Sequence, residues 1–316
     1  MDKKFVSISI TEIIPDVPLP GDLYLFVSGH FIKYKNIGDE LPAKKYHELL
    51  VKQIQFLFTT ELYVNTYRDW YDQFREDETE EFVAQVGENN RDIIEDSQDI
   101  KESLFKFITA DEVDQKTEVI LNKTRDFVVK ISERQSVKEL FMKMMNYKQS
   151  MANHSSNVAN LATFLAMNIG YNQQTALENI YVGALLHDYG KIKIPAQYAD
   201  DPDSMGFKMA LRRHPEVAKN SLMINGHFND EVLRIISEHH ERHDGKGFPM
   251  GLKGSQIFDL TKIVSIANVF DNMVMNGNGD HRQRQRKAIK LMQQDKGSEF
   301  DPKILTKCLK VMEKVV

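Results

Sequence analysis

The sequence predicts a mainly α-helical protein with a small α+β module at its N-terminus. Three observations lead there. Period-two alternation of apolar residues, the mark of a half-buried strand, is confined to about the first 65 residues. Beyond that point apolar residues recur at helical spacing almost to the C-terminus. Seven of the ten histidines fall between His154 and His243, mostly at the ends of those helical stretches. The chain divides on this reading into an α+β regulatory module (1–67), a helical linker region (68–147) and a helical domain that carries the histidines (148–316).

In the first module Phe5-Val6-Ser7-Ile8-Ser9-Ile10 alternates as a strand, and Pro15, Pro18, Pro20 and Gly21 break it. Leu23 to Val27 and Phe31 to Tyr34 read as two strands joined by a turn at Ser28-Gly29-His30. A helix follows from Leu41 to about Ile54. Phe56-Leu57-Phe58 and Leu62-Tyr63-Val64 each read as a short strand. His30 and His47 have no acidic or histidine neighbours and read as surface residues.

The linker region contains no proline and one glycine, Gly87. Ile93, Ile94, Ile100, Leu104, Phe105 and Ile108, then Val119, Ile120, Phe127, Val128 and Ile131, mark two or three amphipathic helices. Their acidic surplus reads as solvated helix faces, with a signalling or dimerising role, as a homodimer, as the sharper alternative. Met142, Met144 and Met145 read as core filler.

The third region opens with a helix whose apolar face carries Val158, Leu161, Ala162 and Leu165, with His154 one turn earlier on that face. A second helix runs from about Thr175 to Asp188, with Gly190 as its stop and Pro195 beyond it. Asp230 is a candidate cap for a helix bearing Val232, Ile235, Ile236 and His239. The segment Asp244-Gly245-Lys246-Gly247-Phe248-Pro249 is a glycine-rich loop. Ile263, Val264 and Ala267 mark a further helix with Asn268 and Asp271 on its polar edge.

Composition bounds the function classes. The chain has 316 residues, 41% hydrophobic and 28% charged, which suits a packed fold. A net charge of −5 is no footprint for duplex nucleic acid. No secretory signal and no apolar run of membrane-spanning length is seen, so a cytoplasmic protein without membrane contact is expected. The single Cys308 is compatible with a reducing compartment.

Imidazole and carboxylate together suit Mn, Fe or Zn, so Leu186-His187-Asp188-Tyr189-Gly190-Lys191, His214-Pro215 and the run from Glu238 to Pro249 read as one candidate metal site. These same stretches carry a resemblance. With His154-Ser155-Ser156-Asn157, Ala267-Asn268-Val269-Phe270-Asp271 and Glu299-Phe300-Asp301-Pro302, they resemble the HD-GYP domains, a branch of the HD metal-dependent phosphohydrolases. The resemblance covers about half of the chain, and the strands at the start are similar, more weakly, to modules that precede such domains.

The resemblance implies a helical bundle around a dinuclear metal site, iron or manganese, that hydrolyses cyclic di-GMP. It implies that His154, His187 and Asp188 hold one metal, with Asn268 standing where the family has an aspartate, and that Asp188 bridges to a second metal held by His214, His239 and His240. Members with three metals have a glutamate where Ser150 stands, so two divalent metal ions are expected. Lys191 is expected to steady phosphate charge, and Arg242 either to bind phosphate or to brace the loop through Asp244. Gly247 and Phe248 would line the substrate. Phe248 replaces the family tyrosine, His243 replaces a tryptophan and is expected to be a loop residue, and Asn276 to Arg282 stand where an Arg-Pro-Tyr stretch is usual. Arg282, Arg284, Arg286 and Lys287 read as a solvated face, and His227 and His281 as surface. The alternative is a weak or inactive adaptor that binds a partner such as a diguanylate cyclase domain.

Overall fold

Two apolar cores, joined by one long helix, organise the chain. The computed structural model describes residues 4–52, 54, 56–108, 114–134, 151–195, 198, 204–224 and 227–316. Met142, Met144, Met145 and Ser150 lie outside the described residues, as does the side chain of His47.

The first core belongs to a four-stranded antiparallel sheet: β1 (Phe5–Ser9), β2 (Leu23–Val27), β3 (His30–Lys35) and, after helix α1 (Ala43–Val51), β4 (Phe56–Thr60). The strand order is β1-β4-β2-β3. Ser28 and Gly29 turn the β2–β3 hairpin with φ of 50° and 85°, the left-handed pair that matches strand twist. Ile8, Leu23 and Leu57 face Tyr46 and Leu49 of α1.

Leu62-Tyr63-Val64, expected as a strand, is instead a 3-10 turn (Glu61–Tyr63) running into α2 (Val64–Val86). The reason lies further along. Tyr63, Tyr67 and Trp70 are spaced as a helical stripe, and all three pack on the first core. The Tyr67 hydroxyl donates to Gly21 O at 2.7 Å. Fifteen or so residues on, Val83 of the same helix enters the second core.

That second core is one cluster from Val83 to Met312. It takes in α3 (Arg91–Ile108) and α4 (Asp114–Glu133), the helices of the linker region. Their acidic residues are partly engaged across helices: Arg75 binds Asp99 and Glu102, Lys130 binds Asp96, and Arg134 binds Asp92. The remaining helices are α5 (Met151–Ile169), α6 (Gln174–Leu186), α7 (Met205–Met223), α8 (Asp230–Glu238), α9 (Asp259–Met275), α10 (His281–Met292) and α11 (Pro302–Met312). Helix α5 is central, with Val158, Leu161, Ala162 and Leu165 fully buried. No helix among the described residues is long and apolar enough to cross a membrane.

Three local expectations change. Helix α8 is capped by Asn229, whose Oδ1 accepts Val232 N–H at 2.9 Å, and Asp230 is its first residue. Asn268 and Asp271 are buried rather than at a polar edge, because α9 is covered on that side by α5. His281 is half-buried, and burial lowers its imidazole to about 4.

Gly190 also differs in role. It lies inside a 3-10 turn (Tyr189–Lys193) rather than ending a helix in the left-handed region. A Cβ there would lie 2.0 Å from the carbonyl oxygen of His214, so only glycine lets this turn meet α7. Gly190→Ala is expected to cost about 3 kcal/mol or more, the upper range for overpacking, because the obstacle is backbone. Chemical denaturation measures it; a variant as stable as the parent contradicts this packing.

Candidate metal centre

Five imidazoles and one carboxylate meet at the ends of α6 and α8, the start of α5 and the middle of α7. His187 follows the last residue of α6, and His239 follows the last residue of α8. The final carbonyls of a helix lack intrahelical donors. His187 Nδ1 takes Ala184 O at 2.6 Å, and His239 Nδ1 takes Ile236 O at 2.8 Å. His214 lies inside α7, and there Pro215 does the same work. Proline has no N–H, so the carbonyl four residues back is left free. That carbonyl is Leu211 O, and His214 Nδ1 meets it at 2.5 Å.

His154 on α5 uses a carboxylate: its Nδ1 is 2.6 Å from Asp271 Oδ2, and Asp271 Oδ1 accepts Asn157 Nδ2 at 3.0 Å. In each of the four, Nδ1 donates and Nε2 is left with a bare lone pair. This is how ligating histidines are commonly oriented.

The bare atoms converge on Asp188. Its Oδ1 lies 3.2 Å from His214 Nε2 and 3.8 Å from His239 Nε2; its Oδ2 lies 3.4 Å from His187 Nε2 and 3.7 Å from His154 Nε2. His214 Nε2 and His239 Nε2 stand 3.2 Å apart. His187 Nε2 and Asp188 Oδ1 are buried with no hydrogen-bond partner. Lone pairs facing lone pairs in a dry interior are costly unless a positive charge stands among them.

Charge states agree. Burial lowers His187 to about 4; burial and His214 lower His240 to about 3; burial and His240 hold His239 well below its ordinary value. Burial opposes the charge on Asp188, but the positive charge that can gather around it, of which Lys191 remains when the imidazoles are neutral, holds the carboxyl well below the usual range. Neutral imidazoles around an anionic carboxylate are what a divalent cation takes.

The donors form two groups, Asp188-His214-His239-His240 and His154-His187-Asp188, each with ligand atoms within 4.8 Å of one another. Asp188 belongs to both. The donor set fits one divalent cation per group.

Asn268 is buried, and its Oδ1 accepts Asn272 Nδ2 at 2.8 Å. Lys191 Nζ is 2.6 Å from Asp188 Oδ2. The Arg242 guanidinium sits by Asp244 at 3.3 Å and Glu299 at 3.7 Å, the bracing arrangement. Gly247 and Phe248 line a cavity of about 340 Å3 with Arg212, His239, His240 and Arg242. The Phe248 ring stacks on His240 at 4.6 Å, under the Arg212 guanidinium at 5.1 Å.

Sequence reasoning assigned no role to Glu241 or Asp271. Glu241 is buried, and its carboxylate accepts N–H from Met250, Gly251 and Leu252 at 2.6, 3.1 and 2.9 Å, which pins the glycine loop. An acidic residue directly after a histidine pair and before a glycine-rich loop was the available signal. Asp271 meets His154 across 117 positions, and no local pattern shows that.

Histidines and aspartate gathered at helix ends inside a bundle define a class of metal-binding helical domain. The HD domain model matches residues 139–304, more than half of the chain, and the chain belongs to that family. It is 31% identical over 144 residues to "3'3'-cGAMP-specific phosphodiesterase 1" of Vibrio cholerae, which is 44% of this chain and 33% of that protein. It is 29% identical over 159 residues to "Cyclic di-GMP phosphodiesterase response regulator RpfG" of Xanthomonas campestris, 48% of this chain and 41% of that protein. The chain thus matches less than half of the length of either relative. The solved structure of Bd1817, a HDG"Y"P protein from Bdellovibrio bacteriovorus, superposes with a TM-score of 0.63 at 20% identity, covering 98% of this chain and 100% of that one. That likeness bears on the fold alone.

Proposed function

We propose that this chain is a metal-dependent phosphodiesterase that opens a cyclic dinucleotide, cyclic di-GMP foremost, at a dinuclear iron or manganese site. One observation carries the reading: two imidazole–carboxylate groups share Asp188, and the Nε2 atoms of His154, His187, His214 and His239 turn toward its carboxylate. Two divalent cations at such a site polarise a phosphodiester and bring the pKa of water toward neutrality.

The chain's own residues do the rest. Asp188 serves both groups and so fixes the spacing of the pair. His154, His187, His214, His239 and His240 complete the donor sets. Lys191, held at Asp188, is a flexible cation one turn from the centre, placed to meet a phosphate oxygen. Arg212, Arg242 and Lys246 give the adjoining cavity a cationic wall suited to an anionic dinucleotide. Phe248, stacked on His240, offers a flat aromatic floor without the hydroxyl of a tyrosine. The relatives named for cyclic di-GMP and 3'3'-cGAMP support the substrate class.

Protein loaded with Mn or, anaerobically, with Fe is incubated with cyclic di-GMP and with 3'3'-cGAMP, and products are separated by anion exchange. The expected product is the linear dinucleotide or the mononucleotides, with cyclic di-GMP preferred. No turnover of either by metal-replete protein overturns the reading.

One observation favours a second reading, a metal-stabilised adaptor that docks a partner such as a diguanylate cyclase domain. Asn268 offers a neutral oxygen already engaged by Asn272. Stable partner binding lost on altering the glycine loop, with no hydrolysis by the parent protein, selects it.

A further inference from the structure

Between the two apolar cores lies a cavity of about 500 Å3. Small-molecule sites span roughly 300–1,000 Å3 and favour the junctions of domains. Its apolar wall comes from separate elements. Ile13 and Val17 lie in the segment between β1 and β2, Tyr46 in α1, Tyr71 and Phe74 in α2, and Met275 at the end of α9. None of its lining residues borders the cavity beside His239 and His240.

The chemistry of the two cavities differs. The one beside the histidines presents Arg212 and Lys246, with Arg242 braced by Asp244 and Glu299 at its wall. In this one four of the charged groups pair with carboxylates or cations of the protein, while Arg284 Nη1 donates to Val274 O at 3.0 Å and Asp16 accepts from a backbone N–H. Arg75 is bound to Glu102 at 2.8 Å and to Asp99 at 2.9 Å, and Lys101 to Glu78 at 3.3 Å. The Tyr46 hydroxyl already donates to Ile10 O at 3.1 Å. An ionic occupant would have to compete with these existing bonds, whereas an uncharged one fits against the apolar wall and keeps them.

The rim holds an unusual backbone. Asp16 has a φ of 59°, a left-handed conformation that non-glycine residues adopt at a cost. Two bonds hold it there: Asp16 N–H to Leu41 O at 3.0 Å, and Asp16 Oδ1 from Ala43 N–H at 3.1 Å. Strain of this kind collects at ligand sites.

We propose that this cavity is a second binding site, for a small uncharged molecule with an aromatic or aliphatic body. The site joins module and bundle. Its wall includes Asn153, next to His154, and Met275, one turn beyond Asp271 on α9. An occupant therefore bears on both helices whose side chains, His154 and Asp271, meet at the metal centre.

Titration of the whole chain with the neutral solvatochromic dye prodan tests the site. The expected result is one saturable, blue-shifted binding phase per chain at micromolar dye. Val17→Trp and Met275→Trp, which fill the cavity from different elements, should each abolish that phase while circular dichroism stays native. Arg212→Ala, in the other cavity, should leave it intact. Excess pyrophosphate should not displace the dye.

Trp70 is the chain's one tryptophan and is next to Tyr71, so energy transfer to bound dye in the unsubstituted protein locates it without any substitution. The proposal is overturned by no saturable phase, by no transfer from Trp70, or by a folded cavity-filling variant that binds as the parent does. Displacement by pyrophosphate overturns the uncharged class of ligand.

Discussion

Asp188→Asn is expected to lower kcat/KM for the cyclic dinucleotide on the order of a thousand-fold or more, the scale on which loss of a metal-organising group acts. The side chain keeps its shape and one carbonyl oxygen, so the packing around it survives. Its charge does not survive, and that charge is the only anion shared by both donor groups. Lys191 Nζ, 2.6 Å from Asp188 Oδ2, loses its partner in the same step. Metal content should fall along with activity, while the circular dichroism spectrum remains that of the parent. Parent-like turnover in this variant would remove Asp188 from the centre.

Asp271→Ala is expected to weaken one metal position about 10- to 100-fold, the usual cost of removing the partner of a ligating histidine. The argument is about a proton. With Asp271 Oδ2 at 2.6 Å, His154 keeps its hydrogen on Nδ1 and points a bare Nε2 toward Asp188. Without that acceptor the ring is free to turn or to carry its hydrogen on Nε2. The His214-His239-His240 side does not touch Asp271, so the second position should be spared. Metal titration should then resolve a strong and a weakened ion where the parent binds both strongly. Asp271→Asn, which retains an acceptor oxygen, should recover much of the loss. Equal weakening of both ions, or no rescue, would mark Asp271 as a packing residue only.

Much of this was legible in the chain. The helices of the bundle follow from apolar periodicity, and His187-Asp188, His214-Pro215 and His239-His240 were readable as candidate ligands because such groups are rarely buried without partners. The reason for their positions was less visible. His187 and His239 draw on the free carbonyls of a helix end, and His214 on the carbonyl that Pro215 frees.

What stayed hidden was long-range. Leu62-Tyr63-Val64 looks like a strand until Tyr67 and Trp70 show the helical stripe to which Tyr63 belongs. Asn268 and Asp271 read as a polar edge because the covering helix, α5, is more than 100 positions away. Gly190 reads as a helix stop, yet it answers to the backbone of His214. The cavity between the two cores has no periodic signature, since it arises from how two separately packed units meet along α2.

The most direct measurement is elemental analysis of the folded chain, expressed with iron and manganese supplied and purified without chelating media. The account predicts two transition ions per chain, and loss of both positions' tight binding in Asp188→Asn. Well-folded protein with no stoichiometric transition metal, or with the same content after that substitution, would contradict it.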